Sequence, residues 1–445
     1  MSAESFVARL DAAPLSRFHW KLLVVSGLGW LFDAMDVILI SFLVTPIRAE
    51  FALDPAATGI VVSAGFVGMF FGAAVSGRLA DRYGRRTVFQ VTLVVFSAGS
   101  ALSALAPTYE TLLVARVITG LGLGGELPVV ATLVSELSPR ASRGRMIVLL
   151  ESFWAYGTVA AGLIGVFLLP LVGWRGAFLV GALPALYVAY LRRALPESPR
   201  YLAERGRLTE ADAVVRRVER EGGGALITVG RVAAPPPAPK AGVTDLWSAA
   251  YARRTGLLWL LWFGIVFSFY GIFIYIPSLL AERGLTVARS NEIFFLSTFA
   301  QIPGYFSAAW LVERWGRKPT LVTYLVGTAA AALLFGNAGG GNDAFLYAAL
   351  LSFFNLGAWG VLYAWSPELY PTGIRATGAG AAAAVGRVGG IIGPFLTPVL
   401  VVTTGQAAVF GLFVAVLLAT ALAAVVLGEE TRGRSLEEIA GRRAG

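Results

Sequence analysis

The chain has 445 residues, 57% of them hydrophobic and 14% charged, with a net charge of +9 and no cysteine. Soluble domains carry roughly 25% charged residues, so this composition excludes a single water-soluble core and makes lipid the solvent that fits. The absence of thiols excludes disulfides, cysteine nucleophiles and thiolate metal sites, and a lone histidine, His19, excludes an imidazole-based metal centre or hydrolase triad.

A helix needs about 20 apolar residues to cross the hydrocarbon. Taken in chain order, apolar runs bounded by charges or turn residues fall at 20–45, 58–77, 87–106, 111–137, 146–169, 176–195, 255–281, 290–312, 320–336, 344–365, 374–401 and 406–427. The first run follows a polar, mixed stretch and contains Asp33 and Asp36, so it reads as a retained helix rather than a signal peptide. His19, beside Trp20, reads as part of an interfacial belt.

The loop charges set the orientation. The connection after the second run contains Arg78, Arg82, Arg85 and Arg86, the one after the fourth Arg140, Arg143 and Arg145, and the one after the eighth Arg314, Arg317 and Lys318. The loops after the third, ninth and eleventh runs contain no Lys or Arg. Basic loops stay cytoplasmic, which predicts a multi-pass protein of the cell inner membrane with both termini in the cytoplasm. The positive charge is thus a topology signal, and no basic, aromatic-interleaved domain suggests nucleic acid. The expected partners are the lipid bilayer, a small-molecule substrate and protons. The chain is expected to be a monomer without cofactor or metal.

The one long hydrophilic stretch is 196–254. Ser198-Pro199 is a start signal for a short helix to about Arg205, and Thr209 reads as the cap of a second, through Glu221. Residues 233–239 form a proline-rich linker. These features divide the chain into a six-helix half (1–195), a central cytoplasmic loop (196–254), a second six-helix half (255–428) and a cytoplasmic tail (429–445). The halves repeat: position 81 matches 313, 136 matches 368 and 197 matches 429, each at an offset of 232. The fold class is an all-α membrane protein of twelve transmembrane helices in two pseudo-symmetric halves, with a substrate site expected between them.

Gly77-Arg78-Leu79-Ala80-Asp81-Arg82-Tyr83-Gly84-Arg85-Arg86 and its second copy, Glu313-Arg314-Trp315-Gly316-Arg317-Lys318, resemble the signature loop of the major facilitator superfamily. The resemblance implies that superfamily's fold, alternating access and a transporter rather than an enzyme. It also implies a gating network. Its members in the first half are Asp81, Arg82, Arg85, Arg86, Glu136, Arg143 and Glu197. In the second half they are Glu313, Arg314, Arg317, Glu368, Arg375 and Glu429. Gly77, Gly84 and Gly316 suit tight turns and close helix approach. Pro196-Glu197-Ser198-Pro199-Arg200 and Glu430-Thr431-Arg432-Gly433 resemble marks of the sugar-porter-like branch. Gly29-Trp30-Leu31-Phe32-Asp33-Ala34-Met35-Asp36 and Glu151-Ser152-Phe153-Trp154-Ala155 resemble bacterial niacin transporters, relatives of aromatic-acid carriers. The sugar porters' paired glutamines on the seventh helix are replaced here by Ser268-Phe269-Tyr270-Gly271-Ile272.

Charges at membrane depth cost at least about 2.5–3.5 kcal/mol each, so Asp33, Asp36, Arg116, Glu126, Glu151 and Arg387 are candidate functional residues. Asp33 and Asp36 are three apart and share a helix face. By the resemblance, Asp36 pairs with the fourth-helix Arg116, and an aspartate released from that arginine would take up a proton. Asp33, Asp36, Arg116 and Glu126 are the expected coupling residues, with a static buried ion pair as the alternative role. Arg387 can receive a carboxylate through its fork of donors. Trp30, Phe32, Trp154, Tyr156, Tyr270, Trp359 and Tyr363 can stack on a ring, and Asn291, Gln301 and Asn355 supply polar lining. The expected function is proton-coupled uptake of an aromatic carboxylate such as nicotinate or benzoate. A sugar–proton symporter and a transport-inactive membrane receptor are the alternatives.

Overall fold

The computed structural model describes residues 3–139, 142–222, 243–339, 341–370 and 372–432. The proline-rich linker and most of the tail lie outside the described residues. Among those described, all regular structure is helical.

The first part of the chain forms α1 (Ala3–Ala12), α2 (Arg17–Glu50), α3 (Pro55–Tyr83), α4 (Arg85–Ala104), α5 (Tyr109–Leu137), α6 (Arg143–Glu151), α7 (Phe153–Leu163), α8 (Leu169–Gly181) and α9 (Pro184–Ala194). Two short helices follow, α10 (Pro199–Glu204) and α11 (Leu208–Glu221). The remainder forms α12 (Ala252–Phe273), α13 (Ile276–Glu282), α14 (Val287–Thr298), α15 (Gln301–Trp315), α16 (Arg317–Gly336), α17 (Asn342–Glu368), α18 (Thr372–Thr404) and α19 (Gln406–Leu427).

Among the described residues, ten helices are individually long and apolar enough to cross a membrane, and the twelve predicted spans reconcile with them for two reasons. One run, Arg143–Val188, has 46 residues, which at 1.5 Å per residue is more than twice the hydrocarbon thickness. It breaks at Gly173, whose φ of 67° is not helical, and so supplies the fifth and sixth crossings. The eighth span is divided between α14 and α15 around Phe299 and Ala300. Pro303 stands in the first turn of α15, where its missing N–H interrupts a continuous ladder.

The chain separates into two compact units. The first comprises Met1–Val37, Val67–Ala161 and Val172–Pro237, and the second Ile38–Phe66, Gly162–Leu171 and Ala238–Gly445. Each is held by backbone approaches that only glycine permits. In the first unit, a Cβ on Gly68, Gly72 or Gly124 would lie 2.2, 2.2 or 2.0 Å from the carbonyl oxygens of Val117, Leu121 and Met69, so α3 and α5 touch along their backbones. In the second, a Cβ on Gly304 would lie 2.2 Å from the Phe353 oxygen and one on Gly393 2.5 Å from the Phe267 oxygen. Lipid gives no hydrophobic drive for helix association, and small residues at contacts supply close packing instead.

α10 begins as predicted, with the Ser198 hydroxyl accepting from the Tyr201 amide and Pro199 as first helical residue. The second cap differs: α11 starts at Leu208 with no side-chain cap, and Thr209 lies inside it. Arg207 instead forks onto Glu210 at 2.6 Å through both nitrogens. His19 also differs from the expected belt position. It is fully buried, and its Nδ1 accepts from the Ser16 amide at 3.1 Å, while Trp20 stays exposed under the Arg145 guanidinium.

α1 is clamped to α11 by Arg9, which donates to both oxygens of Glu219 at 2.8 and 2.6 Å and to Asp212 at 2.8 Å. Arg9 and Glu219 are buried. Removing one partner of a buried pair costs about 3–5 kcal/mol because the other charge stays behind. Arg9→Ala should therefore lower the melting temperature clearly, and Arg9→Lys less so; a melting temperature equal to wild type would remove the clamp. The hydrogen bond from Arg9 also holds the Asp212 carboxyl below its ordinary range. That contribution is present at neutral pH and is lost as pH falls through the depressed value.

Candidate functional site

In the first unit, α2, α4, α5 and α8 build a buried charge cluster. Both terminal nitrogens of Arg116 donate to Asp36 Oδ2 at 3.2 Å. Ser100 donates to the other Asp36 oxygen at 3.4 Å, and the guanidinium lies 5.2 Å from the Phe178 ring centroid. Asp36 is 0% and Arg116 3% exposed, so the predicted pair exists and is desolvated.

Asp33 and Glu126 form a second cluster with different chemistry. They are 1% and 0% exposed. No amide, hydroxyl or guanidinium donor of a described residue reaches either Glu126 oxygen, and its neighbour is the carboxyl group of Asp33. An ionised carboxylate only accepts, so the two groups can share a hydrogen bond only when one of them carries a proton. Gly29 makes the room: a Cβ there would lie 2.5 Å from Glu126 Oε1.

Beside these acids, Trp30 and Trp154 stack at 5.4 Å with an interplanar angle of 46°. Phe32 is not brought to them. It packs against Tyr187 of α9 at 5.7 Å, as its place two residues from Trp30 on a helix requires. Tyr156 is half exposed and packs edge-on against Phe153. Glu151 closes α6, just before the break to α7.

In the second unit, α12 and α17 build an aromatic wall. Trp359 and Tyr363 stack at 5.7 Å and 26°, and Trp262 stands edge-on to both at 5.8 and 5.1 Å. Phe269 adds a T-shaped contact to Trp359. Tyr270 lies 4.5 Å from Phe66. Along the same face of α17 run Ser352, Asn355 and Trp359, each with a buried polar atom that has no hydrogen-bond partner among the described residues. Ser268 of α12 and Gln301 of α15 present further such atoms. Unpaired buried polar atoms cost about 1–3 kcal/mol each, so such a set is suited to a polar, ring-bearing ligand. Arg387 is half-buried on α18, between Gly386, packed on Trp262, and Gly390, packed on Phe66 and Tyr270. Asn291 is not brought to this wall: its amide reaches the Gly165 carbonyl at 3.5 Å and ties two helices.

The residues expected to gate form parallel networks, one in each unit. In the first, Arg85 bonds to Asp81 at 2.9 Å and Glu136 at 3.4 Å. Gly84 takes a φ of 98°, and Glu197 Oε1 accepts the amides of Arg85, Arg86 and Ser198 at 2.9, 3.2 and 2.9 Å. Tyr201 and Arg205 donate to the Arg82 carbonyl, and Arg143 bonds to Asp11. In the second, Arg317 bonds to Glu368 at 2.9 Å and approaches Glu313 at 3.9 Å, Gly316 takes a φ of 102°, Arg375 donates to the Tyr370 carbonyl, and Arg432 donates to that of Arg314.

Two expectations change here. The counterpart of Glu197 is Glu430, whose oxygens accept the amides of Arg317 and Lys318 at 3.0 Å each. Glu429 instead pairs with Arg254 at 3.0 Å, so the repeat has slipped by one residue by the time it reaches Glu430. Gly77 has open space around it and serves no close approach. The second unit also contains contacts passed over in the sequence: Arg48 pairs with Glu282 at 3.2 Å, and Thr45 meets Ser278 at 3.0 Å.

From residue 34 to residue 441 the chain matches the family model described as sugar (and other) transporter. It is 50% identical over 436 residues to the niacin transporter NiaP of Acinetobacter baylyi, covering 97% of this chain and 99% of that one. It is 32% identical to the synaptic vesicle 2-related protein of Xenopus laevis, covering 98% of this chain and 83% of that one. Among solved structures it is similar in fold to the xylose transporter XylE from E. coli in a partially occluded inward open conformation. The TM-score is 0.74 at 18% identity, over 94% of this chain and 100% of that one.

Proposed function

The chain belongs to the sugar (and other) transporter family of multi-pass membrane transporters, and from that premise we propose that it carries nicotinate or a closely similar aromatic carboxylate into the cell with protons. The observation that carries this reading is the end-to-end identity of 50% with a niacin transporter. The site chemistry supports it. Trp262, Trp359 and Tyr363 offer flat and edge-on ring surfaces, whose geometry suits a planar ring better than a puckered sugar. Arg387 supplies the fixed positive charge for the carboxylate. Asp33 with Glu126, and Asp36 with Arg116, carry the proton and sense its loss.

In this reading the two six-helix halves, 1–195 and 255–428, alternate around the substrate. The chain works as a monomer in the inner membrane, with both termini in the cytoplasm. Arg48–Glu282 and Thr45–Ser278 are contacts that one of the two openings must break. The Asp81–Arg85–Glu136 and Glu313–Arg317–Glu368 networks hold the loops that move.

A ligand stabilises the state it binds, by roughly 2.7 kcal/mol at a concentration 100 times Kd. Nicotinate should therefore raise the melting temperature of the purified protein by several degrees, benzoate by less, and xylose not at all. A shift with xylose and none with nicotinate would replace this reading with sugar transport.

A further inference from the structure

Apart from the aromatic wall, the second unit contains a cavity of about 260 Å³ between the end of α2, the start of α3, α13 and α18. Drug-sized ligands occupy pockets of roughly 300–1,000 Å³, so this one admits a single ring. The protein's own bonds keep the space. A Cβ on Gly59 would lie 2.6 Å from the Phe395 oxygen, so α3 and α18 touch along their backbones. The Tyr275 hydroxyl donates to the Pro394 carbonyl at 2.8 Å. Arg283, at the end of α13, donates to the Phe335 carbonyl of α16 at 2.9 Å and to the Gln406 side chain of α19 at 2.7 Å. Three other helices thus fix α13.

The lining decides the ligand. Its apolar part includes Val44, Tyr275, Leu279 and Val401, and its charged part is Arg48 with Glu282. These two side chains are 42% and 38% exposed and meet at 3.2 Å. Among the described residues this is the one side-chain bond that Arg48 makes, through Nη1, although a guanidinium has five N–H donors. Glu282 accepts from both Arg48 and Gln406. Thr45 and Ser278 meet at 3.0 Å. One hydroxyl donates to the other, which leaves the second hydrogen unspent among the described residues. Thr58 and Thr397, also in the lining, donate to backbone carbonyls. The surplus is one of donors around a positive charge, and it calls for an anionic acceptor.

We propose that this cavity is a second binding site, for a carboxylate that carries one ring. The ring lies against Tyr275, Leu279 and Val401. The carboxylate takes the open side of the Arg48 fork and the spare hydroxyl of the Thr45–Ser278 pair. It carries the same charge as Glu282 and competes with it for Arg48. An ion pair this exposed holds weakly, so the exchange is easy in both directions. The role of the occupant rests on the reading of the protein as an aromatic-acid carrier: a substrate held here loosens the contact between α2 and α13 that one opening must break. Binding itself rests on the cavity alone.

Equilibrium dialysis of the purified full chain tests this, with nicotinate and benzoate as probes and nicotinamide as the uncharged control. Two acids should bind per chain, and nicotinamide should not fill the second site. Arg48→Gln should weaken the second site by about tenfold or more, the loss of a charge-assisted bond. Val401→Trp should abolish it by filling the cavity without altering a charge. Glu282→Gln should tighten it by about fivefold, because the competitor is gone, a gain that a misfolded protein cannot show. Bound acid that ignores all three substitutions overturns the site and leaves the aromatic-acid reading of the wall standing. If the one acid bound responds to them, the site stands and that reading falls.

Discussion

Glu126→Gln should abolish accumulation of substrate against a gradient while exchange of substrate across the membrane continues. The amide has the shape of the carboxyl and can donate to Asp33, but it can neither take up nor release a proton. Exchange needs no net proton movement, and accumulation does. Asp33→Asn should behave in the same way from the other side of the contact. Asp36→Asn should differ, because it leaves the Arg116 guanidinium buried against a neutral partner. That change should cost about 3–5 kcal/mol of stability and lower the yield of folded protein as well as transport. Uptake into proteoliposomes under an imposed pH gradient, set beside counterflow at equal pH, separates the two behaviours. A Glu126→Gln protein that still accumulates substrate would return the coupling role to Asp36 and Arg116.

All four of these residues stand out in the sequence because charge at membrane depth is expensive. Their pairing does not. Asp33 and Asp36 are both on α2, and only the fold decides that one meets Glu126 and the other Arg116. The spans themselves were legible from apolar length. What escaped depends on a single residue of register. Glu430, not Glu429, caps the second signature loop, because the second half has gained one residue by then, which a fixed offset cannot reveal. Phe32 resembles a site residue beside Trp30, yet a step of two on a helix turns it toward Tyr187. Trp262 is one of several aromatics on a uniformly apolar run, and nothing local marks it as the ring that meets both Trp359 and Tyr363. A usable signal did exist on α17: Ser352, Asn355, Trp359, Tyr363 and Ser366 recur every three or four residues, a polar-aromatic stripe on an otherwise apolar helix.

Arg387→Ala should weaken binding of nicotinate by about tenfold to a hundredfold, the equivalent of the roughly 1.5–3 kcal/mol that a charge-assisted hydrogen bond contributes. Arg387 lies one turn of α18 between two glycines that let that helix sit against Trp262 on one side and Tyr270 on the other. The same turn thus carries Arg387 and brings the aromatic wall close. Arg387→Lys should recover only part of the loss, because an ammonium cannot present the planar fork that matches a carboxylate. The decisive comparison is with nicotinamide, which keeps the ring and drops the charge. It should bind wild type more weakly than nicotinate and lose little more in Arg387→Ala, since its ring contacts with Trp359 and Tyr363 are untouched. Isothermal titration of both ligands against the three proteins gives the differential directly. Equal losses for acid and amide would mean that Arg387 supports the packing of α18 and leaves the substrate's charge to another group.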